Sequence, residues 1–225
     1  VGHRRGEAMT TEQKGQSVEA SWLLDNSTDA ASVEKYYDDW SGRYDSELSD
    51  WDYRSPDESA RLLAGYAAPS ARVLDAGCGT GLSGHALVAA GFTDIVGIDI
   101  SADSLRVAAD RDIYRDLRQV NLQTLPMPFE ENAFDALTCV GVLTYMDDTA
   151  NTLRDFCRLV RPGGHVVFTC RDDLYAQRDF PGLTQALAAE GQWRRLYESA
   201  PSPYLPRNED FGENIQVIYA VFEVL

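Results

Sequence analysis

Lysine is almost absent from this chain, and its cysteines are few and scattered. The only two lysines, Lys14 and Lys35, both precede the predicted α/β core. This excludes a P-loop lysine, a Schiff-base lysine and the Tyr-x-x-x-Lys pair of dehydrogenases from that core. The four cysteines form no Cys-x-x-Cys pair. We therefore expect reduced, buried thiols and predict neither a disulfide framework nor a metal site.

Long apolar runs and positive charge are also lacking. No window reaches the roughly 20 apolar residues of a membrane-spanning helix, and the first residues lack the apolar core of a signal peptide. We therefore expect a cytoplasmic protein with no membrane partner. Asp and Glu number 36 against 20 Lys and Arg, and the formal net charge of −16 opposes binding to a phosphate backbone. Nucleic acid is therefore not the expected substrate.

The amino-terminal residues differ in composition from the rest of the chain. Residues 1–30 are polar and show little periodicity, which predicts a disordered tail. Helical spacing with many aromatic residues begins at residue 31 and continues to residue 66. The length suits one well-buried domain. We assign residues 31–225 to this domain and residues 31–66 to an amino-terminal helical region of it.

Short apolar runs alternate with helical stretches after Pro69. Such alternation predicts a parallel sheet with helices on both faces. The predicted strands lie at residues 72–75, 94–99, 119–121, 134–140 and 165–170. Two further strand patterns, at residues 193–198 and 215–225, follow each other without a crossover helix. We therefore expect them to form an antiparallel pair that closes the sheet.

A glycine-rich turn follows the first predicted strand. Residues 73–81 end a strand, turn on three glycines and open a helix, whose first N–H groups can receive a carboxylate or a phosphate. Residues 79–84 also satisfy the dinucleotide pattern Gly-x-Gly-x-x-Gly, and Asp99 is placed to accept bonds from ribose hydroxyls in either case. Asp75 precedes the turn, where an acid opposes a pyrophosphate but suits an amino group. The pattern therefore favours S-adenosylmethionine over a dinucleotide.

Five segments in order resemble the motifs of class I S-adenosylmethionine-dependent methyltransferases. They are residues 73–81, 96–99, 125–129, 134–137 and 159–165. Residues 37–40 and the glycine-rich turn are similar to those of the Williams–Beuren-region methyltransferase-like proteins. The resemblance covers roughly residues 33–225. It implies a Rossmann-like α/β fold with a seven-stranded, mostly parallel sheet, helices on both faces and an antiparallel carboxy-terminal strand.

The resemblance also implies S-adenosylmethionine as cofactor and S-adenosylhomocysteine as product. Carried over by position, it places Asp75, Gly77 and Gly79 around the methionine end of the cofactor. It places Asp99 beside the ribose of the cofactor. These assignments follow from the match of motifs, and we state them as expectations.

The same resemblance implies that residues later in the chain contact the adenine and the methyl-bearing sulfur. Ile100 and Leu122 are expected beside the adenine ring. Asn121 occupies a position where many relatives have an acid, and its amide oxygen can accept the same hydrogen bond without charge. Cys139 or Val140, at the end of the fourth predicted strand, is expected to border the sulfur.

The aromatic residues of the helical region have no evident strand to join. We therefore predict that residues 31–66 fold over the cofactor as a lid, with Tyr37 and Tyr44 among the cofactor-binding residues. Plain packing in the core is the alternative for these tyrosines.

Methyl transfer from a sulfonium is an in-line displacement, for which alignment and desolvation can supply most of the catalysis. A hydroxyl acceptor needs a proton sink, and Tyr145, Asp147 and His165 are weak candidates by position only. We expect methyl transfer to oxygen or nitrogen of a small-molecule acceptor. An NAD(P)-dependent oxidoreductase and a non-catalytic S-adenosylmethionine-binding protein are the alternatives.

Overall fold

The computed structural model describes residue 23, residues 26–212 and residues 214–225. Most of the predicted tail, residues 1–22, 24 and 25, lies outside the described residues. The helices in chain order are α1 (Ala30–Trp40), α2 (Tyr44–Asp50), α3 (Ser55–Ala64), α4 (Leu82–Ala89), α5 (Ala102–Ala109), α6 (Thr149–Leu159), α7 (Asp172–Gln177) and α8 (Phe180–Ala189). The strands are β1 (Arg72–Ala76), β2 (Asp94–Asp99), β3 (Asp116–Gln119), β4 (Phe134–Cys139), β5 (Val160–Arg171), β6 (Trp193–Glu198), β7 (Ser202–Pro203) and β8 (Gln216–Val224).

One sheet contains these strands in the order β3-β2-β1-β4-β5-β8-β6, and the two-residue β7 pairs with β8. The five strands from β3 to β5 are parallel, whereas β8 is antiparallel to both β5 and β6. The predicted Rossmann-like architecture, with its antiparallel carboxy-terminal strand, is confirmed. From β1 the chain builds β2 and β3 on one side, and it then returns to build β4 on the other side of β1. The strand order therefore reverses between β1 and β4, and ligands bind at such a switch point beyond the carboxyl ends of the strands.

Neighbouring residues of a strand point to opposite faces of the sheet, and helices cover both faces. On β1, Val73 belongs to the apolar cluster that contains Leu63 of α3 and Leu87 of α4. Leu74, the next residue, belongs to a second cluster that contains Phe156 of α6 and Leu187 of α8. The two helical layers therefore fix which side chains of each strand are buried on which side.

The helix and strand bounds differ from the prediction at β3, which was predicted at residues 119–121 and lies at Asp116–Gln119, and between residues 143 and 177. β5 begins at Val160, directly after α6, because the backbone becomes extended at that residue, with φ −93° and ψ 131°. A 3₁₀ helix at Leu143–Tyr145 and the short helix α7 were not predicted, since neither is long enough to show a periodic pattern. In the part of the chain that the structure describes, no helix has the length and apolar character needed to cross a bilayer.

Candidate active site

The carboxyl ends of β1, β2 and β4 open into a cleft of about 590 Å³, bounded on its other side by α1 and α2. Nine of the eleven residues predicted to bind the cofactor line this cleft: Tyr37, Tyr44, Gly77, Gly79, Asp99, Ile100, Asn121, Leu122 and Val140. The fold thus brings together residues that are far apart in the sequence.

The glycine turn, residues 77–81, presents its backbone to the cleft. Gly77 and Gly79 have φ values of +80° and +52°, which side-chain-bearing residues rarely adopt. The N–H groups of Gly77 and Cys78 both donate to the carbonyl of Ile98 on β2, at 2.8 and 2.9 Å. A Cβ atom at Gly79 would meet nothing within 4 Å, whereas one at Gly77 would overlap Val142. The turn is therefore fixed from the sheet side and open on the cleft side.

Asp99, the last residue of β2, ties that strand to the glycine turn. Its carboxylate accepts hydrogen bonds from the N–H of Gly79 at 2.8 Å and the N–H of Ser101 at 2.9 Å. Burial raises the pKa of the Asp99 carboxyl, against the lowering effect of these backbone donors. A carboxylate offers about four lone-pair sites, so each oxygen can accept a further bond on the cleft side.

Asp75 does not line the cleft, although the sequence pattern placed it near the methionine end of the cofactor. It lies on the same face of β1 as Val73, two residues earlier, and is fully buried. Its carboxylate accepts hydrogen bonds from the hydroxyls of Ser83 at 2.7 Å, Tyr114 at 2.8 Å and Thr138 at 3.3 Å. Burial raises the pKa of Asp75 to about 6, against the lowering effect of these three hydroxyl donors. The carboxylate therefore joins β1 to α4, to β4 and to the segment before β3.

Cys139 also falls outside the lining, while its neighbour Val140 is part of it. The thiol of Cys139 is enclosed within the sheet at the last residue of β4, and this burial raises its pKa. Of the two alternatives predicted for the sulfur-bordering position, only Val140 reaches the cleft.

Tyrosines form much of the remaining lining. The hydroxyls of Tyr37 and Tyr145 share a hydrogen bond of 2.8 Å, and Tyr44 packs edge-on against Tyr37 with ring centroids 6.0 Å apart. Burial raises the pKa of all three phenols well above the ordinary value, so they stay protonated at neutral pH. Behind them, the hydroxyls of Tyr53 and Tyr204 lie 2.9 and 3.5 Å from where a Cβ at Gly141 would be. Phenols therefore supply the polar groups on this side of the cleft.

The three weak catalytic candidates are placed differently. Tyr145 lines the cleft. Asp147 is exposed outside it, and only its backbone N–H is engaged, by the side-chain oxygen of Gln123. His165 pairs with Ala136 near the start of β4, at the opposite end of the strands, where its ring lies 5.7 Å from that of Tyr66. The structure therefore brings only the first of the three to the cleft.

Several lining residues carried no signal in the sequence: Ala30, Val33, Gln123, Gly141, Val142 and Met146. Gln123 is the most informative of them. Its side-chain N–H donates to the carbonyl of Thr28 at 2.9 Å, and its oxygen accepts from the N–H of Asp147 at 3.1 Å. These contacts join segments up to 95 residues apart, which no local pattern reveals.

Comparison with known proteins decides between the two interpretations of the glycine turn. A family model described as "Methyltransferase domain" matches residues 74–168. Methyltransferase-like protein 27 of Homo sapiens is 31% identical over 175 residues, which is 75% of this chain and 71% of that protein. The chain belongs to the class I S-adenosylmethionine-dependent methyltransferases. It is therefore a methyltransferase that uses S-adenosylmethionine, and the dinucleotide interpretation is not supported.

Other relatives are shorter matches or more distant ones. The ubiquinone biosynthesis O-methyltransferase of Alkalilimnicola ehrlichii is 36% identical over 102 residues, 44% of this chain and 40% of that protein, so the chain matches less than half of its length. An S-adenosylmethionine-dependent methyltransferase from Mesorhizobium loti has 16% identity and a TM-score of 0.57, over 72% of this chain and 95% of its own. Geranyl diphosphate C-methyltransferase from Streptomyces coelicolor, solved with S-adenosylhomocysteine, has 17% identity and a TM-score of 0.58, over 74% and 78%. These two structures share the fold.

The residues around the cleft fit such a cofactor. The glycine turn exposes backbone on the cleft side at Gly79, with no atom near its missing Cβ. Asp99 retains acceptor capacity for hydroxyl groups, and the side chains of Ile100 and Leu122 offer apolar surface to a flat ring.

Proposed function

We propose that this methyltransferase acts on a small organic molecule, at an oxygen or nitrogen atom, within the cleft between the sheet and helices α1 and α2. The observation that carries the proposal is the enclosure of the cleft. Val33 and Tyr37 of α1 and Tyr44 of α2 line one side of it, and the carboxyl ends of the strands line the other. A cleft bounded on both sides in this way suits a compact acceptor beside the cofactor better than a polymer.

The cofactor is proposed to lie along the carboxyl ends of β1 and β2. The methionine end would lie against the glycine-turn backbone at Gly79, where no atom lies near the missing Cβ. Asp99 would accept bonds from both ribose hydroxyls. Ile100 and Leu122 would pack on the adenine, and Asn121 would face its edge. When bound, S-adenosylmethionine supplies a methyl group on a positively charged sulfur, a carbon that needs no further activation.

Tyr37 and Tyr145 are proposed to orient the acceptor. Their raised pKa values keep them as neutral phenols, which donate and accept hydrogen bonds but do not act as bases at neutral pH. Among the described residues that line the cleft, none is a His, Lys or Arg, and Asp99 is the one carboxylate. The site thus favours catalysis by alignment and by exclusion of water.

Helices α1 and α2 are proposed to form the lid that excludes this water. This lid is shorter than the one predicted for residues 31–66, because Leu63 of α3 packs on the sheet in the cluster of Val73. They supply Tyr37 and Tyr44 to the lining. They also bury Trp40 in an apolar cluster with Leu205 and Phe211.

A screen of methyl acceptors tests the proposal. Purified protein with S-adenosylmethionine is incubated with hydroxyl-bearing and amine-bearing small molecules and, in separate arms, with DNA, RNA and unmodified protein extract, and S-adenosylhomocysteine formation is measured. We expect turnover with one class of small molecule. Methyl transfer to a macromolecule alone, with none to any small molecule, would reject the proposal.

Once an acceptor is found, Tyr145→Phe separates acceptor binding from cofactor binding. Loss of one phenol hydroxyl is expected to raise the acceptor KM roughly three- to tenfold and to leave the Kd for S-adenosylhomocysteine within about twofold. Tyr66→Phe, at the exposed and opposite end of the sheet, is the matched control. Equal KM values in the two variants would remove Tyr145 from the acceptor site.

A further inference from the structure

Besides the hydrogen bonds of Tyr37 with Tyr145 and of Glu34 with Gln119, polar side-chain contacts join α1, α2 and the residues just before α1 to the rest of the domain at three places. Asp38 of α1 accepts a hydrogen bond of 2.6 Å from the hydroxyl of Ser101, the residue that caps α5. Gln123 donates to the carbonyl of Thr28, just before α1. The third place involves Asp45 of α2, and it differs from the other two because it contains an ion pair.

Asp45 contacts both the glycine turn and an arginine beyond α5. One carboxylate oxygen accepts a hydrogen bond of 2.5 Å from the hydroxyl of Thr80, the fourth residue of the turn. The other oxygen binds the guanidinium of Arg111. Arg111 completes a triangle, because its Nε–H donates to the carbonyl of Thr80 at 2.7 Å. We call Asp45, Thr80 and Arg111 the clasp.

Gly81 makes room for the clasp. A Cβ atom at this residue would lie 2.9 Å from Cδ of Arg111 and 3.1 Å from its Nε, closer than van der Waals contact allows. Its φ of +92° also favours glycine. The third glycine of the turn therefore lets an arginine side chain lie flat against the backbone that bounds the cleft.

Among the residues that the structure describes, Asp45 and Arg111 form the one ion pair between α1–α2 and the rest of the domain. Their side chains are 39% and 22% exposed, so salt reaches the pair and screens it. The apolar cluster of Trp40 and Leu48 with Leu205 and Phe211 holds the same helices on their other side. Loss of the clasp is therefore expected to loosen this wall of the cleft without detaching it.

We propose that Arg111 is a positioning residue whose clasp with Asp45 and Thr80 holds α2 closed over the glycine turn, and that opening of the clasp limits exchange of the cofactor. The inference rests on the proposed placement of the cofactor in the cleft. Tyr44 and the glycine turn both line that cleft, so separation of α2 from the turn would widen the path by which a ligand leaves. The clasp joins α2 to the turn directly.

The rate of S-adenosylhomocysteine release tests this proposal. Release is followed by stopped-flow tryptophan fluorescence, between roughly 0.01 and 1 M NaCl, over which the screening length falls from about 30 Å to about 3 Å. We expect release from the parent protein to accelerate with salt. We expect R111Q to release roughly fivefold faster at low salt and to lose most of the salt dependence. R111K, which keeps the charge, is expected to restore part of both.

The matched control is R115Q. Arg115 pairs with Asp94 near the edge of the sheet, is more exposed than Arg111 and contacts neither α1 nor α2. R115Q is expected to release S-adenosylhomocysteine at the parent rate. Parent-like release and salt dependence in R111Q would overturn the proposal, as would equal acceleration in R111Q and R115Q.

Hydrogen exchange of the free protein gives a readout that needs no ligand. In R111Q, and independently in D45N, the amides of residues 30–50 are expected to exchange roughly fivefold faster, with those of β1 and β4 unchanged. The double variant is expected to match the single ones, since both remove the same pair. Uniformly faster exchange would show a general loss of stability, and unchanged exchange at residues 30–50 would show no clasp; either overturns the proposal. Failure to find a small-molecule acceptor would leave these measurements unaffected.

Discussion

The two walls of the cleft are built in different ways. The sheet wall, at the carboxyl ends of β1 and β2, is fixed by backbone hydrogen bonds such as those from Gly77 and Cys78 to Ile98. The helical wall, α1 and α2, is fixed to the sheet by side chains, several of them partly exposed. The proposed placement of the cofactor assigns most of its binding to the sheet wall, and the proposed clasp assigns the rate of its exchange to the helical wall.

Removal of the Asp99 carboxylate is expected to have the largest effect. Asp99→Ala deletes the acceptor of the proposed ribose contacts and leaves the N–H groups of Gly79 and Ser101 without their partner. We expect the affinity for S-adenosylhomocysteine, measured by titration calorimetry, to fall by about 2–4 kcal/mol. Asp110→Ala, which removes an exposed carboxylate, serves as the control and is expected to bind normally. Normal binding by a folded Asp99→Ala protein would contradict the assignment of the sheet wall.

Asp75 makes the stability of the sheet wall depend on pH. Burial raises its pKa from 3.8 to about 6, so the native state binds this proton more tightly than the unfolded chain does. The contribution of Asp75 to stability is therefore greatest below about pH 4 and falls as the pH rises through 6. Relative to Asp75→Asn, which does not titrate, the free energy of unfolding of the parent is expected to drop by roughly 2–3 kcal/mol between about pH 4 and pH 7.

Urea unfolding of both proteins across this range measures the difference. Carboxyls whose pKa is lowered by arginine partners, such as Asp135 and Glu58, are present in both proteins and cancel in the comparison. If the parent instead gains stability relative to Asp75→Asn as the pH rises, the native state favours the charged form of Asp75. The prediction of a raised pKa would then be wrong.

Glycine-to-alanine substitutions are expected to have a smaller effect, and they compare how tightly the two walls are packed. A Cβ at Gly84 of α4 would overlap the phenol of Tyr114, which donates to Asp75. Gly84→Ala is therefore expected to lower the free energy of unfolding by about 1–3 kcal/mol. Gly42, between α1 and α2, has nothing within 4 Å of its missing Cβ, and Gly42→Ala is expected to change stability by less than about 0.5 kcal/mol. Equal losses in urea unfolding would show that the two walls are packed alike.

The sheet wall was largely predictable from the sequence because its signals are local. Strand β2 was placed at residues 94–99, as observed, and the glycine turn and Asp99 follow directly from short motifs. Parallel strands meet at one edge, so residues at their carboxyl ends share a cleft. The other lining residues depend on the course of the chain after the glycine turn, which these motifs do not record.

Side-chain direction was not predictable in the same way. Asp75 ends a buried strand next to the turn, and only the position of Tyr114, 39 residues later, shows that its carboxylate is used inside the domain. The same tyrosine accounts for Gly84, which gave the false dinucleotide pattern: the glycine leaves space for a phenol. A motif records which residue types are present, but not which atom fills the space beside them.

The helical wall was predictable only as a helical, aromatic region. Its contacts with the sheet join residues tens of positions apart, such as Asp45 with Arg111 and Thr28 with Gln123. A single sequence does not reveal such pairs, because each partner taken alone resembles an ordinary surface residue.

Strand β8 has a consequence for synthesis of the protein. It is inserted between β5 and β6 and hydrogen-bonds to both, although it is translated after every other strand. A nascent chain on the ribosome can pair β1 with β2 and β4, but one edge of β5 stays unpaired and β6 lacks its partner until residues 216–224 emerge. Such edges recruit other strands, so the interval before residue 216 is the time at which this chain is most prone to aggregate. The half of the sheet that bears the glycine turn assembles earlier and is spared this exposure.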